Sequence, residues 1–145
     1  MRAVVQRVTS ASVSVDGTVV GAIGPGLCVL VGVARQDDQR GSARLAERLW
    51  NLRVFEDEHG KMNRSAAELG LELLVVSQFT LYADTTRGRR PSFVEAAPGE
   101  QAAPVVEAVV ASLRSLGARV ATGRFGAPME LSIVNSGPVT VIVET

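Results

Sequence analysis

The segment Ala11-Ser-Val-Ser-Val-Asp-Gly-Thr-Val-Val-Gly-Ala-Ile23 decides the fold class. Ala11, Val13 and Val15 alternate with Ser12 and Ser14, which puts apolar side chains on one face of an extended segment and hydroxyls on the other. Asp16-Gly17 then supplies two residues that tolerate positive φ, the strongest short-range hairpin signal, and Val19–Ile23 returns as the second arm. Upstream, Ala3–Val8 reads as a short strand. Downstream, Gly24-Pro-Gly26 is a turn, and Leu27–Val33 is a nearly all-apolar strand of the kind buried on both faces.

Farther out the period changes. After a polar stretch, Arg35–Gly41, Leu45, Leu49 and Leu52 fall on one face of a helix. Arg53-Val-Phe55 and Lys61-Met-Asn63 flank a turn at Glu56–Gly60. Glu72–Leu81 is the clearest later strand, followed by an Arg-, Gly- and Pro-rich loop from Ala83 to Pro98. Val105, Val106, Val109, Val110, Leu113 and Leu116 mark a second helix. It starts near Pro104, or near Pro98 with Pro104 in its tolerant first turns. Arg119–Thr122, Met129–Val134 and Val139–Glu144 read as three closing strands. Many strands, mostly hairpin-connected, with two helices make an α+β single domain over residues 1–145.

Composition bounds the function. A chain of 145 residues is one domain's length. Its 15 basic and 15 acidic residues cancel, and the pI is near 6.6. That argues against coating nucleic acid with a broad basic face, for which a domain pI above about 9 is expected, and against a polybasic membrane binder. Four Phe, one Trp and one Tyr are too few for a platform that stacks many bases. Cys28, the lone cysteine, sits in the apolar run Gly26–Gly32 and reads as a buried structural thiol. With no apolar run of about 18 residues and no signal-like start, the expectation is a reduced, cytoplasmic protein away from membranes.

The usual catalytic devices are missing from the pattern. His59, the single histidine, lies in a turn beside Gly60 and reads as solvated. Neither a zinc-ligand set, nor a Gly-x-Ser-x-Gly elbow, nor a phosphate or dinucleotide loop can be assembled. An enzyme built on this chain is expected to work without metal, cofactor or histidine base. Two segments are unusual. In Leu73-Leu-Val-Val-Ser-Gln-Phe-Thr-Leu-Tyr82 an apolar strand ends in a polar cluster. On strand geometry Gln78 and Thr80 continue the face of Leu74 and Val76, with Ser77 and Phe79 on the other. Such groups need partners or cost about 1–3 kcal/mol each. They either cap neighbouring loops or form a polar pocket floor where backbone N–H groups bind a carbonyl or oxyanion. In Val134-Asn-Ser-Gly-Pro-Val-Thr140 the Gly-Pro pair marks a turn between strands. Its peptide isomer is not readable from sequence, since only about 5–6% of X-Pro bonds are cis. A weaker feature, Thr85-Thr-Arg-Gly-Arg-Arg-Pro91, is either a solvated loop or a local anion contact.

Together, Ser77-Gln-Phe-Thr-Leu-Tyr82 and Asn135-Ser-Gly-Pro-Val-Thr140 resemble the D-aminoacyl-tRNA deacylase family in its common bacterial and eukaryotic form. Met1–Arg7, Gly24–Gly26, Asn51–Asp57, Gly60–Asn63, Gly88–Phe93 and Thr122–Gly126 extend the resemblance over essentially the whole chain. It implies a barrel-like core of mainly antiparallel sheets with two main helices outside. It implies hydrolysis, without a cofactor, of the ester joining a D-amino acid to the tRNA 3′ end, with glycine removed as well. It implies a homodimer whose active sites lie at the interface. Gly137-Pro138 is then a cis pair that enters the partner's pocket and excludes L side chains, a specificity by rejection. Arg7 helps orient that motif, and Asn135 belongs to the substrate-binding set. Ser77, Gln78, Phe79 and Thr80 line the pocket, with the N–H groups near Phe79 and Thr80 facing the scissile carbonyl, and Met129 packs near the terminal adenosine. Thr80 is the candidate nucleophile, but no base adjoins it in sequence. The alternative, in which the tRNA's own 2′-hydroxyl assists water, needs none and is preferred. Ser136 stands where many relatives carry Asp. With so little net charge only the 3′ end can be gripped, and Arg87, Arg89 and Arg90 are the candidates for its few phosphate contacts.

Overall fold

A computed structural model describes residues 1–145. The hairpin forms as its alternation predicts, but the first arm belongs to one 14-residue strand, β1 (Arg2–Val15), rather than two. The sequence suggested a break because the buried positions change phase. Ala3 and Val5 are buried, then Val8, then Ala11, Val13 and Val15. A side-chain period of two survives such a change only if the register slips with it. The pairing does slip, between Gln6 and Val8 and between Val8 and Ser10. One bent strand thereby serves two cores.

β2 (Thr18–Ile23) pairs antiparallel with the second half of β1, across a turn whose Asp16 and Gly17 adopt φ of 50° and 76°. β3 (Gly26–Gly32) pairs antiparallel with the first half. α1 (Arg40–Trp50) buries Leu45 and Leu49, while Leu52 lies just past its end and packs on the same core. β4 (Phe55–Glu56) and β5 (Met62–Arg64) make a small hairpin around the Asp57–Gly60 turn. The short helix α2 (Ala66–Leu69) was not anticipated, although its signal was present: Ser65 and Glu68 form a reciprocal capping box. β6 (Glu72–Ser77) stops four residues earlier than the sequence suggested. α3 (Gly99–Ser115) starts after Pro98, which leaves Pro104 as its sixth residue. β7 (Arg119–Thr122) follows. β8 (Glu130–Glu144) is a single 15-residue strand where two were expected.

The expected hairpin connectivity holds only for part of the sheet. β3, β6 and β7 run parallel, so their connections are crossovers that carry helices. The order is β2-β1-β3-β6-β7, with β8 on the other edge of β1. β2 comes back alongside β7, which curls the sheet into an incomplete barrel. The doubly apolar strands explain the layering. Leu27, Val29, Leu73 and Val75 face α1 and α3 in a core of 25 buried residues. Their neighbours Cys28, Leu74 and Val76 point into the barrel, with Val8, Ala11, Val13 and Ile23. Cys28 is the buried thiol expected, and burial raises its pKa to about 11.

Candidate active site

The polar cluster after Val76 continues the strand only through Ser77. Gln78 donates its backbone N–H to Val31 O (2.8 Å), which completes the ladder with β3. The chain then turns into a single 3-10 turn, Phe79–Tyr82, closed by Ala83 N–H to Thr80 O (3.1 Å). The two-face assignment of Gln78 and Thr80 is therefore corrected. A 3-10 turn has no alternating faces, and the Gln78 side-chain amide donates directly to Thr80 Oγ1. Gly32 is what lets this turn sit on β3, because a Cβ there would stand 3.0 Å from Leu81 Cβ and 3.1 Å from Gln78 O. Arg2 fixes the far end, donating to Leu81 O (2.8 Å) with its guanidinium carbon 5.1 Å from the Tyr82 ring centroid.

Ser77, Gln78 and Phe79 line one wall of a cleft of about 310 Å³. Val31 and Val33 form its floor, Gly99, Ala102 and Val106 of α3 its opposite wall, and Phe125 and Gly126 its end. Ser77 and Gln78 are half-buried, whereas Phe79 and Thr80 are exposed at the rim. The N–H groups of Phe79 and Thr80 open the 3-10 turn and so have no partner within it. None of its own lining side chains is titratable, and the nearest such groups, Glu107 and Arg114, line the adjoining hollow that shares Ser77, Val106 and Phe125. The cleft can therefore hold an apolar or aromatic group and present neutral donors to a carbonyl, but it holds no general base of its own. Phe125, Ala102 and Val106 escaped the sequence reading as site residues. Phe125 entered the sequence reading only within the Thr122–Gly126 segment of the resemblance and as one of six aromatics, with no role in a site. Met129 lies past this loop. It is half-buried against the barrel interior near Gly123 and Val76, and it borders a separate hollow with Ser14, Asp16 and Glu130. His59 is exposed in its turn, as expected.

The second predicted segment stands elsewhere. Between the pairs Gln6–Thr140 and Val8–Asn135, β1 has one intervening residue, Arg7, and β8 has four, Ser136–Val139. The excess bulges out as Ser136-Gly137-Pro138, with a cis Gly137-Pro138 peptide. Arg7 holds the base of the bulge. Its Nε donates to Ser136 O (3.2 Å), its Nη1 to Val54 O (2.8 Å), and its Nη2 lies 3.8 Å from the Glu56 carboxylate. On the other side Asn135 Oδ1 accepts from Val139 N–H (3.1 Å) and its Nδ2 donates to Thr140 Oγ1 (3.0 Å). Asn135 thus braces the bulge internally. Gly137 and Pro138 are exposed.

The two segments do not meet within one chain. Arg7 is in register with Leu27, and Leu27 with Leu73. From β8 to β6 is three strand spacings, about 14 Å, and from Leu73 to Ser77 another 13 Å or so, which makes roughly 20 Å along the sheet.

Comparison with known proteins covers the entire chain. The family model described as D-Tyr-tRNA(Tyr) deacylase matches residues 4–144. The chain is 58% identical to a D-aminoacyl-tRNA deacylase of Streptomyces coelicolor, covering 99% of each. It is 57% identical to that of Heliobacterium modesticaldum, covering 99% of this chain and 96% of the relative. A solved structure named c-Myc DNA Unwinding Element Binding Protein superposes with a TM-score of 0.93 at 44% identity, covering 100% of this chain and 99% of that one. A probable eukaryotic D-amino acid tRNA deacylase shares the fold, with a TM-score of 0.85 at 16% identity, covering 98% and 97% of the two chains. Matched over 141 of its residues by the family model and in full by its relatives, the chain belongs to the D-Tyr-tRNA(Tyr) deacylase family.

Proposed function

We infer that this protein hydrolyses the ester between a D-amino acid and the 3′-terminal adenosine of tRNA, removes glycine by the same route, and spares L-aminoacyl-tRNA. The observation that carries the reading is the cleft walled by Ser77, Gln78 and Phe79, whose largely apolar lining and volume of about 310 Å³ can take an aromatic group and which has neutral donors at one rim. The terminal adenosine fills it, and the scissile carbonyl rests against the N–H groups of Phe79 and Thr80, which stabilise the oxyanion as it develops. Because no titratable side chain lines the cleft, the 2′-hydroxyl of the tRNA assists the attacking water.

Selectivity in this reading comes from a second copy of the chain. The Gly137-Pro138 bulge stands about 20 Å along the sheet from the cleft it must reach, so a partner supplies it. Its carbonyl oxygens take the substrate's amino group and leave no space for an L side chain. A homodimer also accounts for β8, a long edge strand that presents Val134 and Ile142 at 56% and 66% exposure and would otherwise invite uncontrolled pairing. The protein works on tRNA away from membranes, and no helix is long and apolar enough to span one.

Purified protein is expected to release D-tyrosine from D-tyrosyl-tRNA and leave L-tyrosyl-tRNA intact. Equal hydrolysis of both, or of neither, refutes the reading. The nucleophile question has its own test. Thr80→Val removes the hydroxyl that accepts from Gln78 while keeping the side chain's volume. If Thr80 only lines the rim, single-turnover deacylation falls less than about tenfold, whereas loss of a nucleophile costs roughly 10⁴-fold or more.

A further inference from the structure

Arginines in this chain are mostly occupied. Of its 15 cationic side chains, nine hydrogen-bond or ion-pair within the chain: Arg2, Arg7, Arg35, Arg40, Arg48, Arg53, Arg64, Arg114 and Arg119. Six make no such contact: Arg44 on α1, Lys61 in the β4–β5 turn, and Arg87, Arg89, Arg90 and Arg124. The last four are exposed and come from the two loops that border the cleft.

The first loop is braced at its base and tied to the cleft wall. Asp84 and Ser92 exchange backbone hydrogen bonds at its base (2.8 and 2.9 Å). The Asp84 carboxylate is turned onto Thr86, accepting from its N–H (2.9 Å) and hydroxyl (2.7 Å), and so stays away from the guanidinium groups. Just beyond the base, Phe93 packs edge-on against Phe79, centroids 5.1 Å apart, which ties the loop to the cleft wall. Arg124 precedes Phe125, which closes the other end of the same cleft. A neutral protein has thus left four unpaired, exposed guanidinium groups on the two loops tied to this cleft.

We propose that Arg87, Arg89, Arg90 and Arg124 form a phosphate-binding collar that docks the sugar-phosphate backbone leading into the cleft, the last nucleotides of the tRNA acceptor arm. The collar rests on the functional reading above, and adds that affinity for tRNA is confined to these few contacts. Guanidinium groups suit this role because each forks onto two phosphate oxygens, and phosphate contacts position a backbone without reading its sequence.

The test separates the collar from the chemistry. Binding of a fluorescent acceptor-stem minihelix is followed by anisotropy between 50 and 200 mM salt, alongside hydrolysis of D-tyrosyl-adenosine, which has no phosphate. For four contacts the affinity of the unmodified protein is expected to fall about 50–150-fold over that range, from about 0.7–0.9 counterions released per contact. The quadruple variant R87Q/R89Q/R90Q/R124Q is expected to bind weakly with a nearly flat salt response, and the corresponding quadruple Lys variant to regain the slope. All three are expected to hydrolyse D-tyrosyl-adenosine at rates within about twofold, since its contacts lie inside the cleft. A Gln variant that keeps the full salt slope overturns the collar, as does one that loses D-tyrosyl-adenosine hydrolysis to the same degree as minihelix binding. A Gln variant that turns monomeric where the unmodified protein is dimeric also overturns it and reassigns the arginines to a protein contact. Failure of the unmodified protein on D-tyrosyl-adenosine counts against the functional reading alone, because minihelix binding still reads the collar.

Discussion

Gly137→Ala is expected to lower D-aminoacyl-tRNA deacylation by roughly 10²-fold, the scale set by a misplacement of about 1 Å at a reacting centre. The residue is exposed at the tip of the bulge, so the cost in global stability is expected to stay within the about 1–3 kcal/mol of local backbone strain. Two features make it intolerant all the same. Its φ is +119°, a conformation that side chains rarely adopt. A Cβ there would also stand 2.9 Å from Arg7 Nη2 and 2.8 Å from Val139 Cγ2. Arg7 cannot yield freely, because it is fixed by the Ser136 and Val54 carbonyls. The bulge must move instead, and with it the carbonyl oxygens proposed to hold the substrate's amino group. The rate of D-tyrosyl-tRNA hydrolysis and the D/L ratio, measured beside thermal unfolding, check this. A fall in activity that merely tracks a lower Tm would assign Gly137 to the scaffold, and full activity would remove the bulge from the site.

How much of this could be read from residues alone depends on the kind of signal. Apolar periodicity located every major segment, because burial is decided by which side chains face inward, and that pattern is written locally. Leu27–Val33 was legible as a strand buried on both faces and Leu73–Val76 as an apolar strand, and the two are what separates the two cores. Continuity was not legible. β1 shifts phase at Val8 and β8 is interrupted by the Ser136–Pro138 bulge, and either irregularity looks like a strand end until the partner strand is seen across it. Parallel pairing of β3, β6 and β7 was invisible for a related reason, since the strands that meet are far apart in sequence. At the site, Ser77–Thr80 stood out because polar groups after an apolar strand demand an explanation. The turn into 3-10 geometry did not, as it depends on Gly32 of the neighbouring strand leaving space for Leu81. The α3 wall and Phe125 could not be found from their own neighbourhoods, because apolar helix residues and a loop aromatic are ordinary until they face the same opening.

The arrangement in trans predicts that two inactive proteins make an active one. Take one variant with an intact cleft and a disabled bulge, Gly137→Ala, and a second with an intact bulge and an obstructed cleft, Ala102→Trp. Ala102 is almost fully buried in the α3 wall of the cleft, and indole there fills the volume meant for the adenosine. Overpacking carries a stability cost of about 1–3 kcal/mol, so folding of this variant is checked first by circular dichroism, with Gly99→Phe at the cleft mouth as the alternative block. In an isologous dimer each site combines the cleft of one subunit with the bulge of the other. Each pure variant then has two defective sites. In a mixed dimer one site pairs the obstructed cleft with the disabled bulge, and the other pairs intact cleft with intact bulge. Random exchange at equal amounts makes half the dimers mixed, so activity is expected to return to about one quarter of that of the unmodified protein. If each chain used its own bulge, every site would keep one defect and mixing would restore nothing. The D/L ratio of the recovered activity is expected to equal that of the unmodified protein, because the surviving site contains no altered residue.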